Sequence, residues 1–189
     1  SALLDSGYSI STDADESIYI TGVTEGNLDG QTNSGYADAF ISKFNSDGSK
    51  QWTRLLGTSS FDVDRSISTS AEGSIYITGV TEGNLDGQTN SGDRDAFISK
   101  YNSDGSKQWT RLLGTSSYDL GRSISTAADG SIYITGVTEG NLDGQTNSGG
   151  TDAFISKYSS DGTKQWTQLL GTSSVDEGES ISTAADGSI

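Results

Sequence analysis

The sequence contains no cysteine and no histidine. Without cysteine there is neither a disulfide framework nor a thiolate nucleophile. That absence does not assign a compartment, since reducing and oxidising ones both hold cysteine-free proteins. Without histidine, the commonest general base, the usual partner of a serine nucleophile and the commonest transition-metal ligand are missing. No apolar run approaches the roughly 20 residues of a membrane-spanning helix, which argues against membrane insertion. The opening Ser1-Ala2-Leu3-Leu4-Asp5 has no basic, apolar signal-peptide pattern. Positive charge is scarce, with 11 Lys and Arg against 26 Asp and Glu and a net charge of −15. That balance repels nucleic-acid phosphates and anionic lipid surfaces, and favours solubility, a cation or a basic partner. At 31% hydrophobic content the chain is too lean for one deep core.

What the sequence does contain is repetition. The stretch Ser-Ile-Tyr-Ile-Thr-Gly-Val-Thr-Glu-Gly-Asn-Leu-Asp-Gly-Gln-Thr-Asn-Ser-Gly occupies residues 17–35, 74–92 and 131–149 without a change, at a period of 57 residues. Repeat architectures need little apolar content per unit, because each unit buries its faces against its neighbours. Each period reads as four strands. In the first they are residues 8–12, 17–24, 38–44 and 50–56. A polar loop fills residues 25–37, and Asn45-Ser-Asp-Gly-Ser49 forms a tight hairpin. No apolar stripe of helical period is present. The strands are apolar on both faces, with Ala39 and Ile41 opposing Phe40 and Phe44, and Trp52 and Leu56 opposing Leu55. Four antiparallel strands buried on both sides describe a β-propeller blade wedged between two others. The chain is therefore expected to be all-β, with aromatic rings (Phe44, Tyr101 and Tyr158; Trp52, Trp109 and Trp166) filling the gaps between blades.

Two stretches carry a family resemblance. Asp-Ala-Phe-Ile-Ser-Lys-Tyr-Asn-Ser-Asp-Gly at 95–105, followed by Trp-Thr-Arg-Leu-Leu-Gly at 109–114, is similar to the SBBP β-propeller repeat. So is Arg-Ser-Ile-Ser-Thr-Ala-Ala-Asp-Gly-Ser-Ile-Tyr-Ile-Thr-Gly at 122–136. The resemblance runs along essentially the whole chain, although proline, frequent in that pattern, is absent here. It implies four-stranded blades, commonly in large secreted or surface bacterial proteins, and hence an extracellular or cell-surface location. It implies no enzymatic activity and no family-wide ligand.

The units are 1–57, 58–114 and 115–171, and residues 172–189 repeat the pattern of residues 1–18. This gives three full blades plus an extra first strand. Closed propellers have about 4–8 blades, so further blades are expected from the same chain or from another copy. A β-trefoil, also built from three four-stranded repeats, is the alternative. It fits less well because Gln51 and Trp52 are adjacent and the period is long.

Copies within one chain can be compared directly. They differ at the loop tip (Tyr36-Ala37, Asp93-Arg94, Gly150-Thr151) and along the inter-blade link, where 61–65 is Phe-Asp-Val-Asp-Arg, 118–122 is Tyr-Asp-Leu-Gly-Arg and 175–179 is Val-Asp-Glu-Gly-Glu. In a propeller both lie on one face. That makes Tyr36, Ala37, Phe61, Asp93, Arg94, Tyr118, Gly150, Thr151 and Val175 a candidate ligand-binding face for a protein or a glycan. The loop also spaces oxygen donors as a calcium loop does: Glu25, Asn27 and Asp29 at alternate positions before Gly30, with Asn33 and Asp38 beyond. The equivalents are Glu82, Asn84, Asp86, Asn90 and Asp95, then Glu139, Asn141, Asp143, Asn147 and Asp152. The bidentate Glu of such loops is missing, and a metal-free glycine-rich loop is the simpler reading. No cofactor is required, and calcium is the cation this loop would take. The repeated acids at the link (Asp5, Asp62, Asp119, Asp176) and at the third strand (Asp38, Asp95, Asp152) read as acceptors for turn N–H groups. Every loop acid recurs, so nothing singles out a catalytic pair, and a hydrolase is a remote reading. The sequence points to a non-enzymatic scaffold or protein-interaction module, with a multivalent lectin-like or calcium-dependent module as the alternative.

Overall fold

The computed structural model describes residues 3–189. Twelve strands form three four-stranded antiparallel sheets, each taken in chain order. The first contains β1 (Asp5–Thr12), β2 (Ile18–Thr24), β3 (Asp38–Phe44) and β4 (Lys50–Leu56). The second contains β5 (Asp62–Thr69), β6 (Ile75–Thr81), β7 (Asp95–Tyr101) and β8 (Lys107–Leu113). The third contains β9 (Asp119–Thr126), β10 (Ile132–Thr138), β11 (Asp152–Tyr158) and β12 (Lys164–Leu170). Every full ladder stays within one repeat, and among the described residues the β-bridges between repeats are single parallel ones at 37/61, 94/118 and 151/175. These are separate blades. A trefoil, which pairs strands of different repeats around one barrel, is not formed.

The cores lie between blades, as two-faced strands require. Tyr19, Ala39, Ile41 and Leu56 of the first sheet meet Ile67, Ile75, Ile77, Leu85, Phe97 and Tyr101 of the second. The same contact recurs one period on, where Tyr76, Ala96, Ile98 and Leu113 meet Ile124, Ile132, Ile134, Leu142, Phe154 and Tyr158. Tyr19 and Trp52 pack tilted at 6.1 Å between ring centroids, as do Tyr76 and Trp109. A third cluster of smaller residues (Val23, Val63, Val80, Leu120, Val137) lies under the link.

The first strand of each blade is longer than its sequence pattern suggests, and the reason is a β-bulge. In β1 the ladder skips Tyr8, in β5 Arg65 and in β9 Arg122, and pairing then resumes through Asp5–Gly7 and its equivalents. A bulge leaves one residue unpaired and re-aims its side chain. The partner strand accommodates it only with glycine. A Cβ at Gly22, Gly79 or Gly136 would run into the backbone carbonyl of Ser6, Val63 or Leu120.

Residues 172–189 continue the pattern without forming a ladder. They lie along β9 as β5 lies along β1. The Ile181 amide donates to Ser123 Oγ at 3.2 Å and the Thr183 hydroxyl to the Thr126 carbonyl at 2.9 Å. The corresponding donors further back are Ile67 to Ser9, Ile124 to Ser66, Thr69 to Thr12 and Thr126 to Thr69.

Candidate functional site

The polar loop is held shut by its own side chains. In the second blade the Asn84 side-chain oxygen accepts from the Asn90 amide at 2.9 Å. Asn90 in turn donates from Nδ2 to the Thr81 carbonyl at 3.1 Å and accepts from the Gly92 amide at 2.8 Å. The first and third blades repeat the set with Asn27 and Asn33, and with Asn141 and Asn147. Asp29-Gly30, Asp86-Gly87 and Asp143-Gly144 all adopt positive φ, which makes this pair a left-handed turn. The leucine before each turn anchors the loop: Leu85 and Leu142 are fully buried between blades.

The calcium-like donors are accordingly dispersed. Asp86 forms an ion pair with Lys107 and accepts from Thr110; Asp29 and Asp143 do the same with Lys50 and Thr53, and with Lys164 and Thr167. Glu82 pairs with Arg94, and Glu25 accepts from the Leu4 amide; among the described residues the Glu139 carboxylate forms no hydrogen bond or ion pair, and its backbone amide donates to the Tyr118 carbonyl at 2.9 Å. Asp38, Asp95 and Asp152 each accept from the backbone of Ser34, Ser91 or Ser148 at 2.8–2.9 Å. Among the described residues, no three carboxylates gather at one point. Asp38 and Asp95 are buried, and burial pushes both carboxyls above the usual range.

The link aspartates are acceptors too. Asp62 Oδ2 takes the Thr58 amide at 2.6 Å and the Thr58 hydroxyl at 2.8 Å, while Oδ1 takes the Thr81 hydroxyl. Asp119 and Asp176 hold Thr115 and Thr172 at the same distances. Asp5 accepts from Thr24.

The positions that differ between copies come together. Each loop tip is bridged to the next link: Ala37 to Phe61, Arg94 to Tyr118 and Thr151 to Val175. Tyr36, 70% exposed, packs its ring 6.2 Å from Phe61. The Arg94 guanidinium sits over Phe61 at 5.7 Å and over Tyr118 at 5.4 Å. Asp93, Gly150 and Val175 are exposed at the same rim, with Thr151 and Ala37 lying deeper.

Beside this rim the bulged residues frame a cavity of about 500 Å³ lined by Tyr8, Arg65, Tyr118, Leu120, Arg122 and Glu179. All six belong to positions that change from copy to copy. The column Tyr8, Arg65, Arg122, Glu179 is the bulge column itself. Arg122 is held by Glu177 at 3.0 Å and by Glu179, whereas Arg65 lies 5.2 Å over the Tyr8 ring with no carboxylate beside it. Tyr118 was legible as a candidate from the sequence; Tyr8, Arg65, Arg122 and Glu179 were not singled out. The signal that finds them is a glycine inside a strand opposite a changeable residue, which together mark a bulge.

One buried acid stands apart. Asp64 occupies a position that is glycine in the other copies (Gly7, Gly121, Gly178). Its Oδ2 accepts from Thr21 Oγ1 at 2.5 Å, across the blade interface, and its Oδ1 has no partner. Burial pushes its carboxyl well above the usual range, with the nearby Asp62 charge adding to the shift.

Comparison with known proteins agrees with this geometry. The SBBP β-propeller repeat matches at residues 51–86 and 108–143. The chain is 29% identical over 192 residues to the regulatory protein FlaEY of Caulobacter vibrioides, an alignment covering 90% of this chain and 20% of that protein. It is also 29% identical over 143 residues to an uncharacterized WD repeat-containing protein of Acanthamoeba polyphaga mimivirus, covering 65% of this chain and 10% of the relative. The chain thus spans a fifth or less of the length of these relatives. Three four-stranded sheets and two matched stretches thus make the chain similar to SBBP β-propeller repeats at residues 51–86 and 108–143.

Proposed function

We propose that the chain is a non-enzymatic propeller scaffold that engages a protein partner through the rim and cavity on its loop-and-link face. The observation that carries this reading is the coincidence of two independent features: the cavity beside the bulges is lined wholly by residues that differ between otherwise near-identical copies. Drift alone would scatter such differences over exposed positions, whereas a recognition surface concentrates them. The lining is mixed in character, with two arginines, two tyrosines, a leucine and a glutamate. Arginine and tyrosine are enriched where binding energy concentrates. An extracellular or cell-surface setting within a larger bacterial protein accords with the resemblance to SBBP repeats.

The test is affinity capture from extracts and secreted fractions of the source organism, comparing the native chain with an Arg65→Ser, Arg122→Ser double variant. A protein retained by the native chain and lost by the variant supports the reading. Equal retention by both, binding to a glycan array in place of any protein, or turnover of a panel of aryl glycosides would overturn it. Surface labelling of intact cells tests the location.

A further inference from the structure

One contact on the loop-and-link face is complete in the second blade and lacks a member in the third. In the second, the Arg94 guanidinium donates to one oxygen of Glu82, from Nε at 2.8 Å and from Nη2 at 2.6 Å. It also sits 5.7 Å from the centre of the Phe61 ring and 5.4 Å from that of Tyr118. Acid and rings together make a seat for one guanidinium: the carboxylate meets its charge and the rings meet its flat face.

A shift of one period carries Glu82 to Glu139, Phe61 to Tyr118 and Arg94 to Thr151. The acid and a ring remain, and the arginine does not. The backbone of the seat is unchanged. The Glu82 amide donates to the Phe61 carbonyl at 3.0 Å, and the Glu139 amide to the Tyr118 carbonyl at 2.9 Å. Gly83 and Gly140 each lie against the preceding link, where a Cβ would stand 2.3 Å from Thr58 Oγ1 or Thr115 Oγ1. The difference is in the cover. Glu82 is half-buried beside Arg94, whereas Glu139 is exposed and, among the described residues, its carboxylate holds no cation. Gly150 and Thr151, standing where Asp93 and Arg94 do in the second blade, leave its approach open. The first blade has neither version: Ala37 replaces Arg94, Leu4 replaces the ring, and Glu25 accepts from the Leu4 amide.

We propose that Glu139 and Tyr118 receive an arginine side chain of the protein partner, in the position that Arg94 occupies one blade earlier. The inference rests on the reading of this face as a protein-recognition surface and names what the surface reads. Arginine fits where lysine does not, because its planar fork can stack on a ring while it donates sideways to a carboxylate; a lysine ammonium is a compact point charge without that face. The excess of acid over base in the chain draws a basic partner toward this side chain pair.

The test titrates the 189-residue chain with acetyl-Gly-Arg-Gly-amide and with its citrulline counterpart, followed by amide NMR. Citrulline keeps the shape of the side chain and loses its charge. Saturable shifts centred on Gly140 and Thr151 are expected from the arginine peptide, with an affinity about three- to tenfold lower for the citrulline one. Glu139→Gln should weaken the arginine peptide by a similar factor. Thr151→Arg supplies the guanidinium from within, and should abolish the peptide shifts. It should also melt higher than Thr151→Arg combined with Glu139→Gln. Equal affinity for the two peptides, shifts spread over the acidic surface without a centre at Gly140, or undiminished binding by Glu139→Gln would each overturn the proposal. A chain that discriminates the peptides yet captures no protein from extracts supports the seat and fails the wider reading. Capture of one protein by the native chain and by Glu139→Gln alike sinks the seat and leaves the wider reading standing.

Discussion

The polar loop and the inter-blade link lie on the same face and touch through the bridges at 37/61, 94/118 and 151/175, yet they are built to opposite ends. Up to its tip, the loop is identical in all three copies and bonds its polar groups internally: two asparagines, a turn aspartate and a strand-leading aspartate all bond within the blade. The link keeps one residue constant, its aspartate, and changes everything around it. Identity in the loop therefore follows from closure of a hydrogen-bond network, whereas the differences in the link border open space. Four measurements test this contrast.

The largest effect belongs to the one constant residue of the link. Asp62→Ala strips an acceptor from the Thr58 amide, the Thr58 hydroxyl and the Thr81 hydroxyl. Buried donors left without partners cost about 1–3 kcal/mol each before relaxation. A loss of about 2–4 kcal/mol is expected in urea titration. If Asp62→Ala were neutral, the constant aspartate would not be what fixes the link.

Second comes the loop. Asn90→Ala removes the donor to Thr81 and the acceptor for Gly92, and about 1–2 kcal/mol of stability should go with them. Hydrogen exchange should quicken at Gly92 in the second blade while Gly35 and Gly149 keep their native rates. The sequence displayed this loop plainly but not its closure. Asn27, Asp29 and Gly30 spell a cation loop and a left-handed Asx turn equally well, and spacing alone does not separate the two. In the second and third blades Leu85 and Leu142, buried between blades, pin this turn in place. The strands were legible for a different reason: two-sided burial writes apolar residues on both parities, so the blade arrangement could be read directly, whereas the packing of Tyr19 on Trp52 and of Tyr76 on Trp109 was not. The bulge could not, because it is a relation between Gly79 on one strand and Arg65 on another, and only one of the two is constant.

Third, Asp64 and Asp62 stand two residues apart on β5 and make a controlled pair. Asp62 is satisfied by three donors, Asp64 by Thr21 alone. The folded-state pKa of Asp64 is raised, so its ionised form opposes folding. That penalty is complete above the folded pKa. It disappears as pH falls through that value, and it is absent below the ordinary carboxylate range. Asp64→Asn keeps an acceptor for Thr21 and removes the charge. It should therefore gain about 1–2 kcal/mol at neutral pH. The gain should shrink as pH falls through the folded pKa. A variant that loses stability at neutral pH would show that the Thr21 bond to the ionised form outweighs desolvation.

The smallest effect expected is that of calcium. To bind in the loop of the first blade, the ion would have to draw Asp29 away from Lys50 and Thr53 and reopen the bond between Asn27 and the Asn33 amide. Each of those contacts recurs in the other two blades, so the cost would recur with every site. A ligand at free concentration L stabilises a fold by RT ln(1 + L/Kd), which is close to nothing when its dissociation constant lies far above its concentration. Millimolar calcium should accordingly leave the melting temperature where EDTA leaves it, both in the native chain and in Asp86→Asn. A calcium-dependent rise that Asp86→Asn abolishes would reverse the contrast between the two regions, making the loop the binding element and the link its support.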